Sequence, residues 1–253
     1  MGRSADRQED PVHVPSEGVE LLIGAVRPSN AYEETIRRLL QSIRLGFIPP
    51  GERLPAERDL AAMLKVSRDT VREAIATLAE AGYVVSRRGR YGGTFVVAEL
   101  PSGSALGAER TDFGEDEVED TAVLRRVLEV GAAREAAARE LSSEERTALA
   151  LALEECSAAE ESDHRRLDSR LHLLIAELSG SPSLVPLVAN LRMRVNALLD
   201  AIPVLAPNLT HSHQQHEAIV AAILAGRAES AAEAMLEHIE GSTALLRGFL
   251  SSR

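Results

Sequence analysis

The sequence predicts a mainly α-helical protein in two parts: a small N-terminal head of short helices closed by a β-hairpin, then a C-terminal all-α antiparallel helical bundle. Three observations carry that expectation. Residues 50–97 hold two short stretches with helical apolar spacing, a tight turn, and two β-branched runs joined by glycines. Beyond residue 118 the chain is rich in Ala and Leu, almost without β-branched runs, and its apolar residues recur at helical spacing. The charge is also segregated: residues 30–98 carry 11 Arg and Lys against 8 Asp and Glu, a net of +3, whereas residues 99–253 carry 14 against 26, a net of −12. The pI of about 5.2 conceals this basic segment. Affinity for a polyanion depends on the potential of one face, not on the net charge of the chain.

The elements follow in order. Residues 1–29 mix Pro, Ser, Gly and charge around one apolar run, VELLIGAV, and are expected to be a disordered tail. That run is too short and interrupted to cross a membrane or to serve as a secretory core, so no membrane partner is expected. The one cysteine, Cys156, excludes an internal disulfide and suits a reducing cytoplasm; a small packing residue is its expected role.

In the head, residues 30–98, Pro50-Gly51 marks a turn and Pro55 a helix start for AERDLAAMLK, expected to bury Leu60, Met63 and Leu64. Ser67 then caps a second helix, RDTVREAIATLAEAG, in which Val71, Ala74, Ile75 and Leu78 form one apolar stripe and Gly82 is the stop. Burying that stripe leaves Arg68, Thr70 and Arg72 pointing outward from the first two turns, where a recognition helix meets base edges and phosphates. YVVSRR and TFVV, joined by GRYGG, predict a hairpin whose turn uses Gly89, Gly92 and Gly93 and whose tip carries Arg87, Arg88 and Arg90. Together these parts describe a winged helix-turn-helix.

Residues 99–117, rich in Gly, Ser and acid, read as a linker; whether a short helix forms near 104–114 is left open. After it, residues 118–250 predict helices near 118–140, 143–161, 163–180, 182–200, 209–225 and 227–250. With only 3% aromatic residues, their core must come from Leu, Ile, Val and Ala. On the third of these helices Asp168 and His172 stand four apart and share an inward face with Leu171, Ile175 and Leu178. His216 and His238 fall on the apolar stripes of the last two. One carboxylate and three imidazoles aimed into one bundle suit a borderline divalent ion, with zinc first and nickel, manganese or iron as alternatives. The spacing of one Asp and one His also arises by chance, and a lone inward histidine is more often a hydrogen-bonded core residue.

The segments PGERLPAERDLA, VSRDTVREAI and the glycine-rich wing resemble the winged helix-turn-helix of GntR-family transcription regulators. LRRVLEVGAAREAA, the D-x-x-x-H-x-x-I-x-x-x-S-G-S-P-x-L run and HEAIVAAILAGRAESAAEAMLEHI resemble the effector-binding FCD domain of the FadR subfamily. That resemblance implies DNA contacts from Arg58, Arg68 and Arg72, supported on the backbone by Ser67 and Thr70, with Arg88 and Gly89 in the wing at the minor groove. It implies Asp168, His172, His216 and His238 as metal ligands and Arg125 as the partner of an effector carboxylate. The function it implies is a homodimeric regulator, commonly a repressor that leaves double-stranded operator DNA when a small carboxylic acid binds the metal-containing pocket.

Two other functions remain open at this point, a DNA-binding scaffold with a purely structural metal and a metal-dependent hydrolase fused to a DNA-binding head. The hydrolase needs a general base beside the metal, and the inward faces offer no Asp, Glu or His beyond the four ligands. Glu129, Arg126 and Arg134 are expected to be solvated charges. His164, ahead of a helix, and His211 and His213, in a loop, are expected to be solvated or capping.

Overall fold

The structure, a computed structural model, describes residues 31–89, 92–101, 113–203 and 206–250. The expected tail, Arg90 of the wing and residues 102–112 of the expected linker lie outside these. The head comprises α1 (Ala31–Arg44), α2 (Glu57–Leu64), α3 (Arg68–Glu80) and a two-stranded antiparallel sheet of β1 (Val84–Arg87) and β2 (Gly93–Val96). The helices α4 (Glu115–Ala138), α5 (Ser143–Ser157), α6 (Glu161–Leu178), α7 (Leu184–Asp200), α8 (Ala206–Leu224) and α9 (Ala228–Leu250) follow.

The turn between α2 and α3 is made by Lys65, which adopts a left-handed conformation at φ 56° while its N–H caps Ala61 O. Ser67 then opens α3, its hydroxyl accepting from Thr70 N at 3.0 Å. The stripe Val71, Ala74, Ile75 and Leu78 packs with Leu39, Ile43, Leu60 and Tyr83 into the core of the head. Met63 departs from expectation and is 62% exposed. With α2 only two turns long, Leu60 and Ala61 occupy the inward face and Met63 falls outside it. The strands pair Val84 with Val96 and Val85 with Phe95, and Arg53 adds a bridge to Phe95.

In the bundle, α4 lies along α9 and meets α6, α7 and α8, and α6 lies between α5 and α7. Small residues of α4, Ala132, Ala133 and Ala136, allow this close approach, and Leu171, Ile175, Ile219, Ile223 and Met235 fill the space between. Ser142 and Glu145 form a reciprocal capping box at the start of α5. Some boundaries differ from the sequence reading. α4 begins within the expected linker, and α5 stops at Ser157 because Glu160 already serves as the N-cap of α6. α8 begins at Ala206, since Pro207 in its first turn needs no intrahelical N–H partner. His211 and His213 consequently stand on a helix.

The head is seated on the bundle. Leu45, directly after α1, is fully buried in the bundle core. Gly46 follows at φ +74°, and a Cβ there would lie 3.0 Å from Arg166 Cγ and 3.1 Å from Arg170 Cγ, so a side chain would be strained and would crowd both arginines. Arg170 covers the ring of Phe47 at 4.9 Å. Asn190 Oδ1 on α7 accepts from Arg37 Nη1 at 3.2 Å and Gln41 Nε2 at 3.0 Å, and Asp200 at the end of α7 lies 3.6 Å from Arg44.

Candidate functional site

Two sets of residues carry chemistry. On the head, Arg68 opens α3 with its side chain exposed, and Arg72 stands one turn later on the same outer face. Arg72 is held by its surroundings: Nη1 donates to Asp69 Oδ1 at 2.8 Å and Nη2 to Glu57 Oε2 at 3.3 Å. Arg58 on α2 is exposed, with Nε 3.2 Å from Asp59 Oδ1. Such solvated pairs contribute only about 0–1 kcal/mol, so a phosphate or a base edge can displace them. Thr70 is half-buried with its hydroxyl 2.8 Å from Ser67 Oγ, so these two residues brace the helix start. Arg88 and Gly89 follow β1 and are exposed, Gly89 at φ +109° in the hairpin turn.

In the bundle, α6 supplies Asp168 and His172, α8 supplies His216 and α9 supplies His238; all four are buried. One donor atom from each lies within 4.8 Å of the others. Asp168 Oδ1 is 3.3 Å from His216 Nε2 and 3.9 Å from His172 Nε2. Each imidazole also has an outer neighbour at Nδ1: Glu129 Oε1 at 2.9 Å from His172, Gln215 Oε1 at 3.2 Å from His238, and Cys156 Sγ at 3.9 Å from His216. A carboxylate or amide oxygen at Nδ1 favours the proton there and leaves Nε2 as the lone-pair donor, the usual outer support of a metal-binding histidine.

The cluster fits a divalent cation. His172 Nε2 and His216 Nε2 are buried with no hydrogen-bond partner among the described residues, and a cation would satisfy both. Burial opposes ionisation of Asp168, but the Arg192 guanidinium beside it outweighs that and holds the carboxyl well below its usual range. Burial pushes His216 down to about 3 and drives His238 well below the usual imidazole value. Near neutral pH the site therefore presents one carboxylate and two neutral imidazoles from these groups, the forms that ligate metal.

Several charged residues differ from the sequence expectation. Glu129 is 1% exposed, not solvated. Its carboxylate receives Arg125 Nε at 2.7 Å and Arg192 Nη1 at 3.4 Å and stands beside His172. Burial opposes its charge, and Arg125, His172 and Arg192 hold it ionised. Arg192, unassigned from sequence, is 1% exposed and donates from Nη2 to Asp168 Oδ2. Arg126 is half-buried, and Arg134 is exposed in a 2.7 Å pair with Glu229. His164 is buried within α6 and stacks on His213 of α8 at 5.2 Å, so neither caps a loop. His211 is exposed on α8. The inward faces thus hold a further carboxylate and a further imidazole. Glu129 still offers no general base, because both of its oxygens are engaged.

A cavity opens against the cluster, lined by Asp168, His238, Arg125 and Ser242 and by apolar residues of α7 and α9. Arg125 is 2% exposed and ties α4 to α9, with Nη1 donating to Ser242 Oγ at 2.5 Å.

Comparison with known sequences identifies the family. Residues 31–96 match the profile of bacterial regulatory proteins of the gntR family, and residues 120–241 match the FCD domain. The chain is 30% identical over 227 residues, 85% of each protein, to an Escherichia coli K12 protein named as a regulator of the L-lactate dehydrogenase operon. The chain belongs to the GntR family of DNA-binding transcription regulators, with an FCD domain. It is also 30% identical over 210 residues, 79% of each chain, to the HTH-type transcriptional repressor NanR of Cronobacter sakazakii. Its fold matches E. coli McbR/YncC at a TM-score of 0.54 and 20% identity, covering 87% of this chain and 98% of that one. These relatives are regulators rather than enzymes, and no described helix is long and apolar enough to cross a membrane.

For this GntR-family regulator the depressed histidines dictate a pH dependence. In the unfolded chain His216 binds a proton near 6.5, whereas in the folded chain it does so only near 3. Between these values the unfolded state holds more protons, so its contribution is present above about 6.5 and is lost as pH falls. By pH 5 the loss from His216 alone is about 2 kcal/mol, and His238 shifts in the same sense. Chelator-treated protein is expected to melt at progressively lower temperature from pH 7 to pH 5. A flat profile by circular dichroism would contradict the buried neutral imidazoles.

Proposed function

We propose that this chain is a homodimeric, ligand-responsive repressor that leaves its operator when a small carboxylic acid binds beside a divalent metal, zinc first, in the bundle. Asp168, His172, His216 and His238 would hold the metal, and Arg125 would face the acid. Arg58, Ser67, Arg68, Thr70, Arg72, Arg88 and Gly89 of the head (30–98) would engage the duplex, and the bundle (118–250) would hold the metal and the acid. The metal would supply Lewis acidity and an open position for a carboxylate oxygen. This chain's own residues supply the rest: Glu129 orients His172 and Arg125, and Arg192 steadies Asp168.

The observation that carries the reading is that one helix touches both the metal cluster and the head. α7 presents Arg192 to the cluster and Asn190 and Asp200 to α1 of the head. An acid bound against α7 can favour one seating of the head over another, and a difference of a few kcal/mol is enough to shift occupancy. The name of the NanR relative as a repressor supports the sign of the response.

Gel-shift titration on DNA from the chain's own upstream region tests this. Affinity should fall when acid is added to metal-loaded protein, and chelator or His172→Ala should abolish that response while lowering metal per chain. A His172→Ala protein that keeps full metal occupancy would move the site elsewhere. Melting on chelation without any acid response would favour the scaffold with a structural metal.

A further inference from the structure

The cavity beside the histidine cluster has a second character that its charged residues do not explain. Val195 and Leu199 of α7, Ile202 after it, Leu209 of α8 and Leu245 of α9 also line it. Leu199, Leu209 and Leu245 are only half-buried, so they present apolar surface to the cavity. The wall is continuous with a small core in which Val118, Leu198, Ile202 and Leu246 pack with Leu199 and Leu245. Polar groups also line it: Glu161 and His211 are exposed and Ser212 is half-buried, while others are engaged. Arg165 pairs with Asp200 at 2.7 Å and donates to Leu199 O, and Gln215 is held by His238. Asn208 Nδ2 and His164 Nε2 are the buried lining atoms without a partner among the described residues.

We infer that the effector is a monocarboxylate with an aliphatic or aromatic body, rather than a sugar acid. The inference rests on the carboxylate reading above and narrows it. The body of such an acid displaces water from Val195, Leu199 and Leu245, and each methylene buried there strengthens binding about four-fold. A polyhydroxylated acid of equal length would turn some of its hydroxyls onto Val195, Leu199 and Leu245, whose side chains offer no hydrogen-bond partner. Each hydroxyl left dry against the wall weakens binding about ten-fold.

The test is calorimetric titration of the full chain, loaded with zinc and assayed for metal content, using acetate, butyrate, hexanoate and gluconate. Affinity is expected to rise about four-fold per methylene until the cavity is filled. Hexanoate should exceed gluconate by at least about ten-fold. Leu245→Gln should flatten the series without lowering metal content, and Leu199→Ala provides the same check through a milder change. A flat series in the wild-type protein, or gluconate binding as tightly as hexanoate, overturns the inference and leaves the carboxylate reading standing. Metal-loaded protein that binds none of the four acids overturns both.

Discussion

Replacing Glu129 with alanine is expected to destabilise the folded chain by about 3–5 kcal/mol and to weaken metal uptake by about 10–100-fold. Glu129 is the one carboxylate shared by Arg125, Arg192 and His172, and all four side chains are buried. Its removal leaves two guanidinium groups in a dry interior, Arg192 still beside Asp168 and Arg125 still donating to Ser242 Oγ, each short of one buried counter-charge. It also frees His172 to rotate or to carry its proton on the wrong nitrogen, which is why metal uptake should fall together with stability. Glu129→Gln keeps the volume and one acceptor oxygen, so it should fold better than the alanine variant while still binding metal more weakly. Urea unfolding of both variants, with metal measured by equilibrium dialysis, decides the matter. An alanine variant within about 0.5 kcal/mol of wild type would show that the buried charges are balanced by other means.

Arg68→Ala and Arg72→Ala are each expected to weaken operator binding by about 10–100-fold, on the basis that one bidentate contact to guanine contributes about 1–3 kcal/mol. Their effect on helicity should be small, because neither side chain packs in the head core. The two variants should differ in a second respect. Arg72 is preset by Asp69 and Glu57 and would meet the duplex with less rotamer freedom to lose, whereas no carboxylate among the described residues pairs with Arg68. Where an arginine meets phosphate instead of a base, its loss should lower the salt slope by about one and weaken all sequences alike. Titrations at two salt concentrations on operator and scrambled duplex separate these roles. Unchanged affinity in both variants would remove α3 from the interface.

Periodicity made the helices legible because burial repeats with the helical turn. The stripe Val71, Ala74, Ile75 and Leu78 and the four-residue step from Asp168 to His172 could both be placed before any coordinates. Charge misled where it was buried. Glu129 lies on the stripe of Val118, Ala122, Arg125, Ala132 and Ala136, and Arg192 on that of Val188, Leu191, Val195 and Leu198. Their position in register with apolar neighbours was the available signal, outweighed by the general rule that ionised side chains face water. His164 and His213 follow the same logic, four and three residues before Asp168 and His216. Met63 failed in the opposite direction, since a helix of two turns has room for only part of an apolar set. The joint at Leu45 and Gly46 had no local signature, because what surrounds it comes from residues more than 100 positions away.

That joint bears on how such proteins can be recombined. Leu45 lies within the stretch that matches the DNA-binding family, yet its side chain packs in the interior of the bundle. A graft of residues 31–96 onto a foreign effector module would carry this leucine with it, and without a matching socket the side chain would be stranded in water. Exchange between paralogues should therefore succeed only when this chain's Arg166, Arg170 and Asn190, which meet Gly46 and Arg37, travel in the same cassette.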